Sequence, residues 1–383
     1  MCTHVAEGHS RAVLSLFATD NLLFSASKDR TVKVWDLHSG VECQSLSGHP
    51  NNVVGVKYCE ELRLVFSVSS AYVKVWDLRN NTNSSGLTTN GPISIATPSR
   101  SVILPAGEVT INDLALNHNG TTLYTAAGDR VRVWDIRKAA VDLTANTSWS
   151  SFSSLRDGVE VPPSMLGCSR MGKLSGSHQA AVMCLAVGKV SDSEDLVVTG
   201  SKDHFIKVFE VNRTSSNMFI PKMNLTPPHY DGIQSLALQG DILFSGSRDM
   251  CIKKWDLSRQ ELIQVIVSVH SGLLESVNNA HKDWVCGLTF MPGGQLLLSG
   301  CRGGTVKVWS ADSCQLLGEM KAHSTNINSI TTNSSHIFTA SKKYGNELRV
   351  VVASYSSGEV KIWKSPHCSS MTMSTGQVLE LSL

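Results

Sequence analysis

Residues 27–37 read SKDRTVKVWDL, in which a lysine and a tryptophan stand on a short alternating apolar stretch. Six further stretches of the chain repeat this pattern. They are SSAYVKVWDL (69–78), AGDRVRVWDI (127–136), SKDHFIKVFEV (201–211), SRDMCIKKWDL (247–257), CRGGTVKVWS (301–310) and EVKIWK (359–364). Such self-similarity predicts a repeat protein rather than the several unrelated domains that 383 residues would otherwise favour.

A histidine in a turn-like setting precedes six of these phrases. The residues between His9 and Trp35 alternate as short strands that are separated by turn residues. This pattern is typical of an antiparallel meander, so each repeat is predicted to form one four-stranded sheet. The third repeat has no such histidine and begins near Glu108.

The repeats resemble the WD-repeat family, whose fold is a ring of four-stranded blades. The resemblance implies an all-β, seven-bladed WD40 propeller with four antiparallel strands per blade, closed by an N-terminal strand that completes the last blade. It also implies a hydrogen-bonded network of histidine, turn aspartate and tryptophan within the blades, which makes these residues structural. The matching positions are His9, Asp29, Trp35, His49, Trp76, Asp129, Trp134, His178, Asp203, His229, Asp249, Trp255, His281, Trp309, His323 and Trp363.

Three blades depart from the pattern. Aspartate is missing from the turns of blade two (residues 70–72, SAY) and blade six (residues 302–304, RGG). Phe209 stands at the tryptophan position of blade four. These blades are expected to depend more on apolar packing.

The chain is predicted to form one domain over residues 1–364, followed by a polar tail at 365–383. Because an open ring exposes unpaired strand edges, Thr3–Glu7 is predicted to pair with Glu359–Lys364. The blades are expected at about 8–47, 48–92, 108–145, 176–226, 228–270, 280–321 and 322–364, the last one completed by residues 1–7.

Four segments exceed the repeat length. Segments 79–107 and 137–175 are rich in Ser, Thr and Asn. Segments 266–278 and 342–355 interrupt otherwise continuous repeats, and they are interpreted either as surface insertions or as unspliced sequence. Long loops in a compact domain are usually functional, disordered or wrongly included.

Composition argues against several classes of function. The formal net charge of +2 is too small to predict a nucleic-acid or membrane partner. The ten cysteines form no CxxC pair, and no catalytic, metal-binding or phosphate-binding constellation stands at a recognised spacing, so no enzyme activity and no cofactor is predicted. No apolar run approaches the roughly 20 residues of a membrane span, and a cytoplasmic, monomeric propeller is expected.

The turns before the third strands form a candidate interaction surface, because in WD repeats they share one rim with the histidine-bearing loops. Three basic turn residues fall in consecutive blades, four to six, beside two loop aromatics. Arg, Tyr and Trp often carry the energy of protein interfaces, which favours a partner-binding role, although both aromatics could instead pack between loops. The candidate residues are Lys28, Lys202, Arg248, Arg302, Tyr230 and Trp284.

Longer phrases resemble the C-terminal WD propeller of kinesin-4 family motors of the kinesin-21 type. These phrases are CTHVAEGHS, GHPNNVVGVKYC, TGSKDHFIK, PPHYDGI, FSGSRDMCIKKWDL, NAHKDWVC and LLSGCRGG. The resemblance implies a non-catalytic, cytoskeleton-associated tail module of a microtubule motor that binds cargo, a regulator or tubulin. Since the chain has neither a GxxxxGK[ST] loop nor a heptad stalk, it is expected to be a fragment or short isoform. The alternative is an adaptor or substrate-receptor subunit of an unrelated assembly.

Overall fold

Thirty β-strands form the regular structure of the computed structural model, and no helix occurs in the part of the chain that it describes. The strands follow the repeats, whose branched apolar residues suit a pleated, half-buried surface. The described residues are 4–6, 8–70, 72–78, 94–96, 100–103, 110–136, 169–174, 178–213, 218–266, 280–341 and 350–354.

The strands are grouped into seven sheets. The first sheet contains β2 (Val13–Ala18), β3 (Leu22–Ser27), β4 (Val32–Asp36), β5 (Glu42–Leu46) and β9 (Ser94–Ala96). The second contains β6 (Gly55–Cys59), β7 (Leu64–Ser69), β8 (Tyr72–Asp77) and β10 (Arg100–Ile103). The third contains β11 (Ile111–Leu116), β12 (Thr122–Ala127), β13 (Arg130–Asp135), β14 (Ser169–Leu174) and β18 (Met218–Phe219).

The remaining sheets have four strands each. The fourth contains β15 (Val182–Lys189), β16 (Glu194–Ser201), β17 (Ile206–Asn212) and β19 (Met223–Leu225). The fifth contains β20 (Ile233–Gln239), β21 (Ile242–Ser247), β22 (Ile252–Asp256) and β23 (Glu261–Ile266). The sixth contains β24 (Val285–Phe290), β25 (Leu296–Cys301), β26 (Thr305–Ser310) and β27 (Leu316–Lys321), and the seventh contains β28 (Ile327–Thr332), β29 (His336–Ser341), β30 (Val350–Ser354) and β1 (His4–Val5).

The first long strand of each sheet lies innermost and contacts its counterpart in the next sheet. The ring closes where β28 packs against β2. Hydrogen bonds fix this junction, because Asn328 Nδ2 donates to Val13 O at 2.7 Å and Leu16 N–H donates to Ser329 Oγ at 3.1 Å. The sheets are therefore joined by side chains as well as by apolar contact.

The hydrophobic core lies between neighbouring sheets. Val198 and Ile206 of the fourth sheet pack with Ile233, Leu243 and Trp255 of the fifth in one buried cluster. Equivalent clusters fill other junctions around the ring. Each sheet is thus stabilised through its neighbours, as expected for stacked repeats that cannot bury both faces alone.

Two outer strands lie outside the predicted blade limits. The outer strand of the second sheet is Arg100–Ile103, beyond the predicted limit of residue 92. That of the third sheet is Ser169–Leu174, beyond residue 145. Segments 79–107 and 137–175 therefore contain blade strands, because an outer strand needs only to reach the open edge of its sheet and not to follow at a fixed spacing.

The seventh sheet joins the two ends of the described chain. His4 and Val5 pair antiparallel with Val352 and Val351. The predicted partner, Glu359–Lys364, lies outside the described residues, and its place in the sheet is taken by Val350–Ser354. This run of valines comes from the predicted 342–355 insert, and β-branched residues favour strands.

The prediction of a seven-bladed WD40 propeller with four strands per blade is wrong. The recurring phrase supplies the third strand in six sheets, whereas the third strand of the seventh reads VVVAS. Two sheets also have a fifth strand, because β9 pairs in parallel with β5 and β18 pairs in parallel with β14. The propeller accordingly has six WD blades, and a sheet without the repeat fills the ring between the sixth and the first.

Candidate functional site

The network of blade one joins four side chains. His9 Nδ1 lies 2.7 Å from Asp29 Oδ2, and His9 Nε2 lies 2.8 Å from Ser25 Oγ. Trp35 Nε1–H donates to the same Ser25 oxygen at 2.8 Å. Burial alone would raise the pKa of Asp29, but the hydrogen bond and charge of His9, together with hydrogen bonds from two neighbouring residues, lower the pKa to about 2. The network therefore ties a surface turn to the buried indole.

Blade five repeats this arrangement. His229 Nδ1 lies 2.7 Å from Asp249 Oδ2, and His229 Nε2 lies 2.9 Å from Ser245 Oγ. Trp255 Nε1–H donates to Ser245 Oγ at 2.9 Å. The network also holds the loop backbone, since Tyr230 N–H donates to Asp249 Oδ2 at 3.0 Å.

Blade four keeps the histidine and aspartate but not the indole. His178 Nδ1 lies 2.9 Å from Asp203 Oδ2, and His178 Nε2 lies 2.8 Å from Thr199 Oγ1. Burial raises the pKa of Asp203 less than His178 lowers it, and the resulting pKa is about 2. Phe209 fills the tryptophan position and is completely buried.

Blades two and six show the consequence of the missing aspartate. His49 Nε2 still contacts Ser67 Oγ at 2.7 Å, and His281 Nε2 contacts Ser299 Oγ at 2.6 Å. In both histidines Nδ1 is buried without a hydrogen-bond partner among the described residues. Burial lowers the pKa of each to about 3, so both stay neutral.

Restoring the carboxylate in blade six is expected to stabilise the fold. Gly303 stands where blade five has Asp249, and a Cβ added there would lie 3.5 Å from Cys301 Sγ and 3.6 Å from Asp283 Cβ, both ordinary contacts. Gly303→Asp should give His281 Nδ1–H an acceptor and raise the free energy of unfolding by about 1 kcal/mol. Urea denaturation measures this difference. Gly303→Ala is the control, since it changes only chain entropy, and equal stability of the two variants would contradict the missing bond.

The predicted networks of the third and seventh sheets are only partial. Trp134 Nε1–H donates to Thr125 Oγ1 at 2.9 Å, but the Asp129 side chain is half exposed and its Oδ1 lies 3.4 Å from Arg130 Nε. Asp129 pairs at the surface because the third repeat has no histidine to draw it inward. His323 Nε2 contacts Thr339 Oγ1 at 2.9 Å, and Trp363 lies outside the described residues.

Trp284 lies beside two arginine side chains from different blades. The guanidinium carbon of Arg248, in blade five, is 4.5 Å from the indole centroid, and that of Arg302, in blade six, is also 4.5 Å away. Hydrogen bonds fix the backbones, since Arg302 N–H donates to Trp284 O at 2.8 Å and Arg248 N–H donates to Gly232 O at 3.1 Å. We call Arg248, Trp284 and Arg302 the arginine–indole stack.

The neighbouring loops add an exposed aromatic and a cation. Tyr230 is 89% exposed, which makes it the most exposed large hydrophobic side chain in the described part of the chain. Lys202 is exposed in the blade-four turn beside Gly232, and Phe205 of the same turn is 37% exposed. Sequence reasoning missed Phe205. The structure thus groups five of the six predicted rim residues over blades four to six, whereas Lys28 lies in blade one, elsewhere on the ring.

A buried carboxylate that sequence reasoning also missed links blades three and four. Asp195 is completely buried and accepts a hydrogen bond from Tyr124 Oη–H at 2.7 Å and from Asn117 Nδ2 at 3.3 Å. Arg213 Nε lies 3.8 Å from Asp195 Oδ1. These residues follow no repeated spacing, so no sequence pattern marks them. The cluster is a structural joint between two blades.

The described residues contain no group of three or more His, Cys, Asp or Glu side chains that could hold a metal ion. The cysteines among them form no disulfide. Burial raises the pKa of Cys43, Cys251 and Cys286 to about 11, which keeps these thiols protonated. No helix in the described part is long and apolar enough to cross a membrane.

Comparison with a family model accounts for six of the sheets. The model "WD domain, G-beta repeat" (WD40) matches residues 1–36, 40–77, 100–135, 169–210, 222–256 and 273–310. The chain belongs to the WD40-repeat family. Each matched stretch ends within or just after a third strand that has the recurring phrase, so the match agrees with six WD blades. The predicted resemblance to WD repeats is confirmed.

Curated relatives of this WD40 chain include kinesin-like proteins, which confirms the second resemblance. Kinesin-like protein KIF21A of Homo sapiens is 48% identical over 345 residues, covering 88% of this chain and 18% of that protein. Kinesin-like protein KIF21B of Mus musculus is 47% identical, covering 89% and 18%, and Kinesin-like protein klp-12 of Caenorhabditis elegans is 30% identical, covering 88% and 20%. The WD40 chain spans about a fifth of the length of these relatives.

A solved structure shares the fold of the WD40 chain. The WD40 beta propeller domain of Doa1 superimposes with a TM-score of 0.66 at 17% sequence identity, covering 91% of this chain and 95% of that one. At this identity the likeness shows the fold alone.

Proposed function

We propose that this protein is a non-catalytic interaction scaffold that binds its partner through the rim over blades four to six. WD40 propellers are protein-interaction folds. The observation that carries the proposal is the grouping of Tyr230 with the arginine–indole stack, since Arg, Tyr and Trp at one exposed place are typical of the residues that dominate binding energy.

The partner that this rim favours is a microtubule or soluble tubulin, with a cargo adaptor or regulator as the other outcome of the test. The similarity to kinesin-like proteins supports a role as the tail module of a motor, associated with the cytoskeleton in the cytoplasm. The charge of the rim agrees, because a cationic surface binds an acidic partner and steers its approach.

Microtubule cosedimentation over a salt series tests the proposal. We expect the wild type to pellet with microtubules at low salt and to be released as salt screens the charges. Arg248→Glu should weaken binding by about tenfold or more while the melting temperature changes little, because the side chain contacts the rim and not the core.

Lys28→Glu is the matched control. Lys28 occupies the equivalent turn of blade one, so its reversal makes the same change in net charge away from the rim. Equal loss of binding in both variants would show that only net charge matters. Absence of pelleting at low salt would favour the adaptor or substrate-receptor alternative.

A further inference from the structure

We propose that Arg248 and Arg302 bind carboxylates of a short acidic peptide segment of the partner, and that Trp284 positions them for it. This inference rests on the proposed function, because it names the ligand chemistry of the same rim. The guanidinium carbons both lie 4.5 Å from one indole centroid, so two forked donors from different blades lie against the same ring.

The indole supplies order that the two arginine side chains would not have on their own. A guanidinium over the face of tryptophan is attracted by the ring and loses rotamer freedom before any ligand arrives. A planar fork that is already oriented can then donate two parallel hydrogen bonds to a carboxylate. Trp284 therefore acts through the arginines, and its partly buried ring is a platform rather than the main contact surface.

The donors of the stack are unused within the described chain. Arg248 Nε is buried without a hydrogen-bond partner, and no ion pair of either guanidinium with a described residue is found. The guanidinium charge of both side chains is therefore not neutralised by a direct ion pair within the described chain. The nearest turn carboxylate of blade five, Asp249, is already taken by His229.

The missing aspartate of blade six removes one carboxylate from the neighbourhood of this charge. The position beside Arg302 that carries aspartate in blades one, four and five is Gly303. The omission leaves His281 Nδ1 unpartnered and therefore disfavours folding, but it also keeps a competing carboxylate away from the two guanidinium groups. Glycine at position 303 thus explains both the unpartnered His281 nitrogen and the open anion site.

The surroundings favour a peptide over a nucleic-acid backbone. Asp231 and Asp283 stand in the two loops that flank the stack, and they would repel the repeated phosphates of a polyanion. Tyr230 and Phe205 offer exposed rings to an apolar side chain next to the bound acidic one. A segment with one or two carboxylates among apolar neighbours therefore fits the rim better than a strand of phosphates.

Fluorescence anisotropy with a labelled peptide that carries two glutamates among apolar residues, the glutamate peptide, tests this inference. The wild type should bind this peptide at least about tenfold more tightly than the same peptide with every glutamate replaced by glutamine. Arg248→Lys keeps the charge but loses the fork, and it should weaken binding about tenfold. Trp284→Ala should weaken binding similarly and Trp284→Phe less, because phenylalanine keeps a ring face for the arginines. Lys28→Glu should leave the affinity unchanged.

Gly303→Asp distinguishes a loss of peptide affinity at the ligand site from a loss of fold stability. The variant should melt at a higher temperature than the wild type and yet bind the glutamate peptide about tenfold more weakly, which a folding defect cannot explain. The inference is overturned if the glutamine peptide binds equally well, if Arg248→Lys has full affinity, or if labelled single-stranded DNA binds and the glutamate peptide does not. If microtubules still pellet the wild type in any of these cases, the proposed function stands while this inference fails.

Discussion

Replacing Trp255 with alanine lowers the free energy of unfolding by about 3–5 kcal/mol, the usual cost of removing a large aromatic ring from a core. The indole is almost completely buried in the cluster that joins blades four and five. Its Nε1–H also satisfies Ser245 Oγ, which in turn contacts His229. Urea denaturation followed by circular dichroism measures the loss.

The chain itself supplies the control for this substitution. Phe209 fills the tryptophan position of blade four and is completely buried, so a phenylalanine ring fits such a slot. Trp255→Phe should therefore cost much less than Trp255→Ala, since it mainly removes the bond to Ser245. Equal losses in the two variants would contradict the view that packing between blades outweighs the indole hydrogen bond.

Asp195→Ala is expected to lower the free energy of unfolding by about 3–5 kcal/mol, because breaking a buried charged cluster leaves its partners unsatisfied. Tyr124 Oη–H would lose its acceptor, and Arg213 would lose the nearest buried carboxylate. Equilibrium denaturation measures the effect. Its cause lies in the joint between blades three and four, so hydrogen exchange should rise first in those blades.

Asp192→Ala provides the matched comparison. Asp192 lies close in sequence, but its side chain is fully exposed and pairs with Lys189 at the surface. Removing it should leave stability nearly unchanged. Comparable losses for Asp192→Ala and Asp195→Ala would contradict the structural role assigned to the buried carboxylate.

The repeat phrases predict much of the blade interior. The histidine, aspartate and tryptophan positions of blades one and five lie at hydrogen-bond distance as parts of one network, and the missing aspartates of blades two and six coincide with unpartnered histidine nitrogens. The phrases do not predict which segments complete two of the sheets. The outer strand Arg100–Ile103 and the third strand Val350–Ser354 come from segments without a repeat signature, because strand pairing depends on proximity in space.

The sequence likewise predicts only part of the candidate rim. Turn positions of neighbouring blades place Lys202, Arg248 and Arg302 on one side of the ring from the repeat order alone. The contact of both guanidinium groups with Trp284 depends on side-chain direction, which the phrases do not encode. The sequence does not predict the Asp195 cluster, because its members come from two blades with no shared spacing.

Hydrogen–deuterium exchange of the whole chain with and without saturating tubulin tests the central claim most directly, since it maps the surface that a partner covers. The account predicts slower exchange in residues 201–205, 229–232, 247–250, 281–285 and 301–304, with no change in the equivalent turn of blade one. Unchanged exchange in those five segments, or protection confined to other blades, would contradict a binding rim over blades four to six.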